Sequence, residues 1–139
     1  MSHVSKIELE IRSLEELKEA CRQIGLRFKE NKKTYAWFGE WVGDYPMPPG
    51  FKVEDLGKCD HAINVPGCEY EIGVVRKDGK LSLIWDFWKS GGLEKKLGKG
   101  CGKLKQAYAA VKIRNEARMK GYRVTQTKIK KGIRLVLAA

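Results

Sequence analysis

The chain has 139 residues, which fits one domain over residues 1–139 with one hydrophobic core. Hydrophobic residues make up 42% of it and charged residues 32%, a composition that argues against a disordered chain. The formal net charge of +11, from 28 basic and 17 acidic residues, is its largest deviation from an average protein and indicates attraction for polyanions.

The opening of the chain predicts a strand and a helix. Apolar residues alternate with polar ones over residues 6–12, as in a strand with one buried face. Ser13 and Glu16, three residues apart, form a capping-box pattern that begins a helix over residues 13–24. Gly25 supplies the left-handed residue with which such a helix ends.

A second strand and a long loop come next. Residues 26–29 and 34–38 are predicted as strand, with a turn between them. Glycines and prolines then interrupt the chain over residues 39–58, the one long irregular segment, which is also rich in aromatic residues. A loop of this kind either covers the core or has a function of its own.

Three strands then form a meander. Residues 61–65 and 70–77 are predicted as the first two, separated by a Pro-Gly turn. Asp78-Gly79 is the strongest hairpin signal in the chain, because a type I′ turn needs positive φ at both central residues. Alternating apolar residues over 81–87 predict the third strand.

A second helix and a strand pair complete the pattern. Apolar residues recur at helical spacing over residues 103–120, and the pattern also allows a start near Leu93. Strands over 122–128 and 133–137 follow. The order β-α-β-(loop)-β-β-β-α-β-β predicts an α+β fold, a mostly antiparallel sheet with two helices on one face.

Several stretches carry a family resemblance. They are Met1–Ile7, Ser13–Leu17 and Leu26; then Tyr70–Val75 with Asp78-Gly79; then Tyr108, Lys120–Val124 and Gly132–Leu137. They resemble the hypothetical chloroplast reading frame thirty-five family, also called domain of unknown function twelve-fifty-seven. The resemblance spans most of the chain apart from residues 39–58. It implies a small intracellular α+β protein of cyanobacteria, plastids, other bacteria and some phages, with no established activity and no catalytic residue to carry over.

Basic residues concentrate in the second half of the chain, which predicts a non-enzymatic module that binds nucleic acid or another polyanion. The candidate residues are Lys95, Lys96, Lys99, Lys103, Lys105, Lys112, Arg114 and Arg118. Glycines over residues 98–102 precede the second helix but lack the spacing of a phosphate-binding loop or a dinucleotide fingerprint. Solvated helix flanks are the alternative interpretation of the same charges.

Aromatic residues leave two interpretations open. Trp37, Trp41 and Tyr45 would stack with the bases of a single-stranded nucleic acid if they were exposed. Aromatic residues in a small domain more often pack in the core. The same aromatic loop also suggests a different function, a protein-interaction adaptor for a larger host or ATPase partner.

Cys59, His61 and Cys68 raise a third hypothesis, a small metal-binding protein. Cys59 and His61 are two residues apart, so a strand would point them to one side, and Cys68 follows the next turn. Thiolate and imidazole are zinc ligands, but the spacing matches no standard zinc module. Metal binding is therefore the third-ranked interpretation.

Catalytic and targeting signals do not stand out in the sequence. The two histidines and the scattered carboxylates form no acid–base set, so we expect no enzyme and no cofactor. No apolar run approaches the roughly 20 residues that span a bilayer. The N-terminal residues lack a secretory signal, so we expect a cytoplasmic protein without membrane contact whose four cysteines are reduced.

Overall fold

The computed structural model describes residues 2–130 and 132–138 and has an α+β architecture. The strands in this part of the chain are β1 (Val4–Ile11), β2 (Arg27–Lys29), β3 (His61–Asn64), β4 (Glu71–Lys77), β5 (Lys80–Asp86), β6 (Arg123–Ile129) and β7 (Gly132–Ala138). The helices are α1 (Leu14–Gln23), α2 (Leu93–Leu97) and α3 (Gly102–Met119). The predicted fold class is confirmed, and the short helix α2 adds to the predicted order of elements.

Five strands form an antiparallel sheet in the order β1-β5-β4-β3-β2. β1 and β2 therefore lie at opposite edges, and α1 connects the two edges across one face. The predicted hairpin joins β4 to β5, with positive φ at both Asp78 (52°) and Gly79 (75°), as a type I′ turn requires.

Helix α1 begins where the sequence predicts it. The Ser13 hydroxyl accepts a hydrogen bond from the backbone N–H of Glu16 at 3.3 Å, and Gly25 follows the helix with φ of 76°. The carboxylate of Glu16 accepts hydrogen bonds from the Arg12 guanidinium at 2.8 and 2.9 Å. It therefore does not accept from the backbone N–H of Ser13, as a capping box would require. Only the first half of the predicted capping box therefore forms.

One face of the sheet is covered by helices. Ile63, Ile72 and Leu83 from three neighbouring strands belong to one fully buried cluster. Leu17 of α1 and Leu104 of α3 pack into the same cluster. The prediction that both helices lie on one face agrees with this packing.

The long loop covers the other face. Tyr35 is 3% exposed and packs on Gly73 of β4, where an added Cβ would lie 2.5 Å from the tyrosine ring. The half-buried Trp37 packs in the same cluster, as do three side chains of the loop, Trp41, Met47 and Phe51. The loop over residues 39–58 is therefore a cover for the core, one of the two roles expected for it.

The predicted strand over residues 34–38 is wrong. This segment makes a single isolated bridge, Thr34 with Lys58. Two carboxylates from the sheet accept its backbone N–H groups: Glu71 binds the Ala36 amide at 3.1 Å and Asp86 binds the Phe38 amide at 3.0 Å. These side-chain acceptors satisfy backbone donors that a strand ladder would otherwise have used.

The last two strands form a separate two-stranded sheet, here called the ribbon (residues 123–138). It packs on α3 instead of extending the five-stranded sheet. Gln126 of the ribbon donates a hydrogen bond to Gln23 at the end of α1, with 2.8 Å between Nε2 and Oε1. The ribbon therefore contacts the helical layer at α1 as well as at α3.

Candidate anion-binding cleft

The net positive charge of the protein comes from its last third. Residues 95–139 contain 14 of the 28 lysines and arginines but only one of the 17 acidic residues, Glu116, so their formal net charge is +13. Residues 1–94 contain 14 basic and 16 acidic residues, a net charge of −2. Helices α2 and α3 and the ribbon are therefore the source of the attraction for anions.

A cleft of about 830 Å³ lies between the ribbon and the helical layer. Its walls come from the end of α1, from α2, from the first turns of α3 and from the ribbon. The lining residues are Gln23, Ile24, Leu26, Lys96, Leu97, Lys103, Gln106, Gln126, Lys128, Ile129, Lys130, Gly132 and Ile133. The tertiary fold thus brings together four parts of the chain that are distant in sequence.

The charged residues that line the cleft are all basic. Four lysines, three glutamines and five aliphatic residues line the cleft, and no acidic residue is among them. Each glutamine amide both donates and accepts hydrogen bonds. A cleft lined by cationic, amide and aliphatic side chains suits an anionic group attached to a less polar body.

The predicted basic residues are divided by the fold. Lys96 and Lys103 line the cleft, and Lys95 and Lys99 are exposed close to them in the chain. Lys105 follows Lys103 by about 200° around the helix, so it lies on the opposite flank of α3.

The remaining three predicted residues lie outside the cleft. Lys112 shares the flank of Lys105, since seven residues are close to two full helical turns. Arg114 is half-buried and reaches Glu19 of α1 at 3.5 Å. Arg118 is exposed on the last turn of α3. Of the eight predicted basic residues, only Lys96 and Lys103 therefore line the cleft.

Lys128 and Lys130 were not among the predicted site residues, although they lie in a visibly basic run. The run alone does not show that the ribbon docks beside the start of α3. The three cleft glutamines carry no sequence signal for a site, since isolated glutamines are common on protein surfaces.

Two of the three predicted aromatic residues, Trp37 and Trp41, lie on the far side of the sheet from the cleft. Trp37 and Trp41 are half-buried in the loop-side cluster. Tyr45 is 36% exposed and stacks on His3, with 5.1 Å between ring centroids. None of the three residues lines the cleft, so they add no base-stacking surface to it, and the protein-interaction adaptor stays a prediction.

The three candidate metal ligands are not brought together. Cys59 packs in the loop-side cluster, and its thiol donates to the Lys32 carbonyl at 3.2 Å. His61 lies beside Phe28, and its Nδ1 accepts from the Asn31 amide at 2.9 Å. Cys68 lies near Gly92. Over residues 2–130 and 132–138, no group of three or more His, Cys, Asp and Glu side chains is placed to hold a metal ion.

Two cysteines are expected to be unreactive in the folded protein. Burial raises the pKa of the Cys21 thiol to about 12 and that of the Cys101 thiol to about 12, and both side chains are inaccessible. Because the thiolate is the reactive form, iodoacetamide should modify both at least about 100-fold more slowly in the folded than in the urea-unfolded protein. Peptide mass spectrometry measures the two rates, and equal rates would contradict this.

Comparison with known proteins assigns no relative: no family model, no curated protein and no solved structure matches this chain. The resemblance to the chloroplast reading frame thirty-five family therefore stays a prediction. In the described part of the chain, no helix has both the length and the apolar character needed to cross a bilayer.

Proposed function

We propose that this protein is a non-catalytic module that binds nucleic acid, with the phosphate backbone held at the cleft between the ribbon and α3. The observation that carries the proposal is the lining of the cleft, in which four lysines occur without an acidic residue. The net charge of +13 on residues 95–139, which supply most of the lining, adds a longer-range attraction for anions. Nucleic acid is the commonest polyanion in a cell and therefore the first candidate ligand.

The lysines of the cleft are available for a ligand. Ion pairs in residues 2–130 and 132–138 involve the basic residues His3, Arg12, Lys18, Arg22, Lys32 and Arg114. None of these lines the cleft. An incoming phosphate would therefore meet ammonium groups that no carboxylate neutralises, and the concave wall would strengthen their field.

Salt dependence is the direct test. Phosphate contacts release counterions, so the logarithm of the binding constant should fall with the logarithm of salt by about 0.7–0.9 for each phosphate contacted. If each cleft lysine contacts one phosphate, the slope should be roughly −3 to −4. Fluorescence anisotropy with labelled single-stranded and duplex oligonucleotides measures it. An absence of binding at low salt, or binding that salt does not weaken, would refute the proposal.

A competitor separates nucleic acid from polyanions in general. Heparin carries a comparable charge density without bases. Nucleic acid that remains bound against an equal concentration of heparin charge supports the proposal. Heparin that displaces it completely and binds more tightly would instead indicate a general polyanion receptor.

A further inference from the structure

The cleft between the ribbon and the helical layer offers a ligand more than positive charge. Three glutamines and five aliphatic residues line it beside the four lysines. Ile129 is 40% exposed, and Ile24 and Ile133 are half-buried, so apolar surface is accessible in the lining. Phosphate oxygens take ion pairs and hydrogen bonds, which aliphatic carbon cannot supply. The aliphatic part of the lining therefore fits a second, less polar part of the ligand.

Two of the glutamines form an amide pair that joins β6 to the end of α1. Nε2 of Gln126 donates a hydrogen bond to Oε1 of Gln23 at 2.8 Å. This bond uses one hydrogen of Gln126 and one lone pair of Gln23, so the pair still carries N–H donors and a carbonyl acceptor for a ligand. A phosphodiester has acceptors alone and matches only the donors. The edge of a nucleobase presents donors and acceptors together and matches both.

The third glutamine, Gln106 of α3, lies against Gly132 of β7. A Cβ added to this glycine would come within 2.9 Å of the Gln106 Nε2 atom, so any larger residue there would displace the amide. The glycine therefore allows a helix amide to approach the ribbon closely. Hydrogen-bonding amides thus reach the cleft from α1, from α3 and from β6.

The size of the cleft restricts the form of nucleic acid that enters it. Its volume of about 830 Å³ equals that of a cube with edges of about 9 Å, which is narrower than the ~12 Å major groove of a B-form duplex. The same volume lies within the range of roughly 300–1,000 Å³ that is usual for sites of small molecules. A duplex is therefore too wide to enter, whereas one unpaired nucleotide fits.

We infer that the cleft holds one unpaired base of a single-stranded nucleic acid, with its lysines on the neighbouring phosphates. The base packs on the aliphatic side chains and forms hydrogen bonds with the amides, as in sites that hold a base outside the stack. This inference rests on the proposed function and adds a strand preference to it. A duplex has to unpair and unstack a base first, so the protein should bind it more weakly than a single strand.

A strand without bases tests the inference. Oligothymidylate and an abasic strand of equal length carry the same phosphates. Fluorescence anisotropy at one salt concentration should show at least about tenfold weaker binding of the abasic strand, with a similar salt slope for both, because the phosphate contacts are shared. Equal affinities would overturn the inference and leave the proposed function standing. Absence of binding to either strand at low salt would refute the proposed function itself.

Two matched substitutions on the ribbon test where the base lies. Ile129→Ala removes aliphatic carbon from the lining, and Val136→Ala removes it from a residue that is 50% exposed and does not line the cleft. Neither changes the charge. Ile129→Ala should weaken binding of oligothymidylate at least about threefold and leave binding of the abasic strand unchanged, whereas Val136→Ala should leave both unchanged. Equal losses on the two strands in Ile129→Ala would overturn the inference.

A third variant tests the amides. Gln126→Met keeps an unbranched side chain of similar length but removes the hydrogen-bond donor and acceptor. We expect the same pattern, a loss of at least about threefold on oligothymidylate and none on the abasic strand. An equal loss on both strands would show that Gln126 acts through the fold and would overturn its contact with the base. Circular dichroism and thermal unfolding check that the three variants keep the fold.

Discussion

Replacing Lys103 and Lys128 together with glutamate should weaken nucleic-acid binding by about 100-fold at moderate salt, because two phosphate contacts are lost and two repulsive charges are introduced. Both residues line the cleft, one from α3 and one from β6. Both are exposed, so the change leaves the core intact. Fluorescence anisotropy measures the loss, and the salt slope should become shallower by about 2.

The matched control is the double variant Lys105→Glu with Lys112→Glu on the opposite flank of α3. It lowers the formal net charge by the same amount, so any non-local electrostatic effect is equal in the two proteins. We expect it to weaken binding by no more than about tenfold, because charges beyond a Debye length are largely screened. Equal losses in the two variants would show that the whole basic surface binds and that the cleft has no special role.

Replacing Glu16 with glutamine should lower the free energy of unfolding by about 2 kcal/mol at pH 7, because a buried carboxylate loses its charge-assisted hydrogen bonds. Glu16 is 7% exposed. It accepts hydrogen bonds from Arg12, from Asn115 at 3.0 Å and from the Tyr108 hydroxyl at 3.4 Å. We expect a smaller change in the free energy of unfolding than for a fully buried ion pair, because the Arg12 side chain is 42% exposed and solvent screens its charge. Urea unfolding measures the change.

The effect of Glu16 should depend on pH. Hydrogen bonds from Arg12 lower the pKa of Glu16 from its ordinary 4.5 to about 2, against the opposing effect of burial. A carboxyl whose pKa is lower in the folded than in the unfolded state stabilises the protein above the unfolded value, and this stabilisation is lost as pH falls toward the folded value. The difference between wild type and variant should therefore be complete above about pH 5 and nearly absent near pH 2.

Glu15→Gln is the control for this experiment. Glu15 lies in the same turn, and its side chain is 83% exposed with one ion pair to Lys18 at 3.3 Å. Exposed pairs of this kind contribute little, so we expect a change below about 0.5 kcal/mol at every pH. A loss in this variant as large as that of Glu16→Gln would assign the effect to net charge instead of the buried cluster.

Local patterns predicted the elements whose causes are themselves local. Ser13 caps α1 because its hydroxyl reaches a backbone N–H three residues later, and Asp78-Gly79 turns because both residues accept positive φ. The segment over 34–38 was predicted wrongly because its amides bind Glu71 and Asp86. Those carboxylates are distant in sequence, and only the folded sheet places them there.

The sequence alone determined the α+β class, the order of the elements apart from α2 and the segment 34–38, and the concentration of positive charge in residues 95–139, because periodicity, turn chemistry and charge count depend on neighbouring residues. Tertiary structure decided which lysines meet. Lys96 and Lys103 line one cleft with Lys128 and Lys130 only because the ribbon docks beside the start of α3. It also turned the aromatic loop into a cover for the sheet. These outcomes follow from packing between elements distant in sequence, which no local pattern encodes.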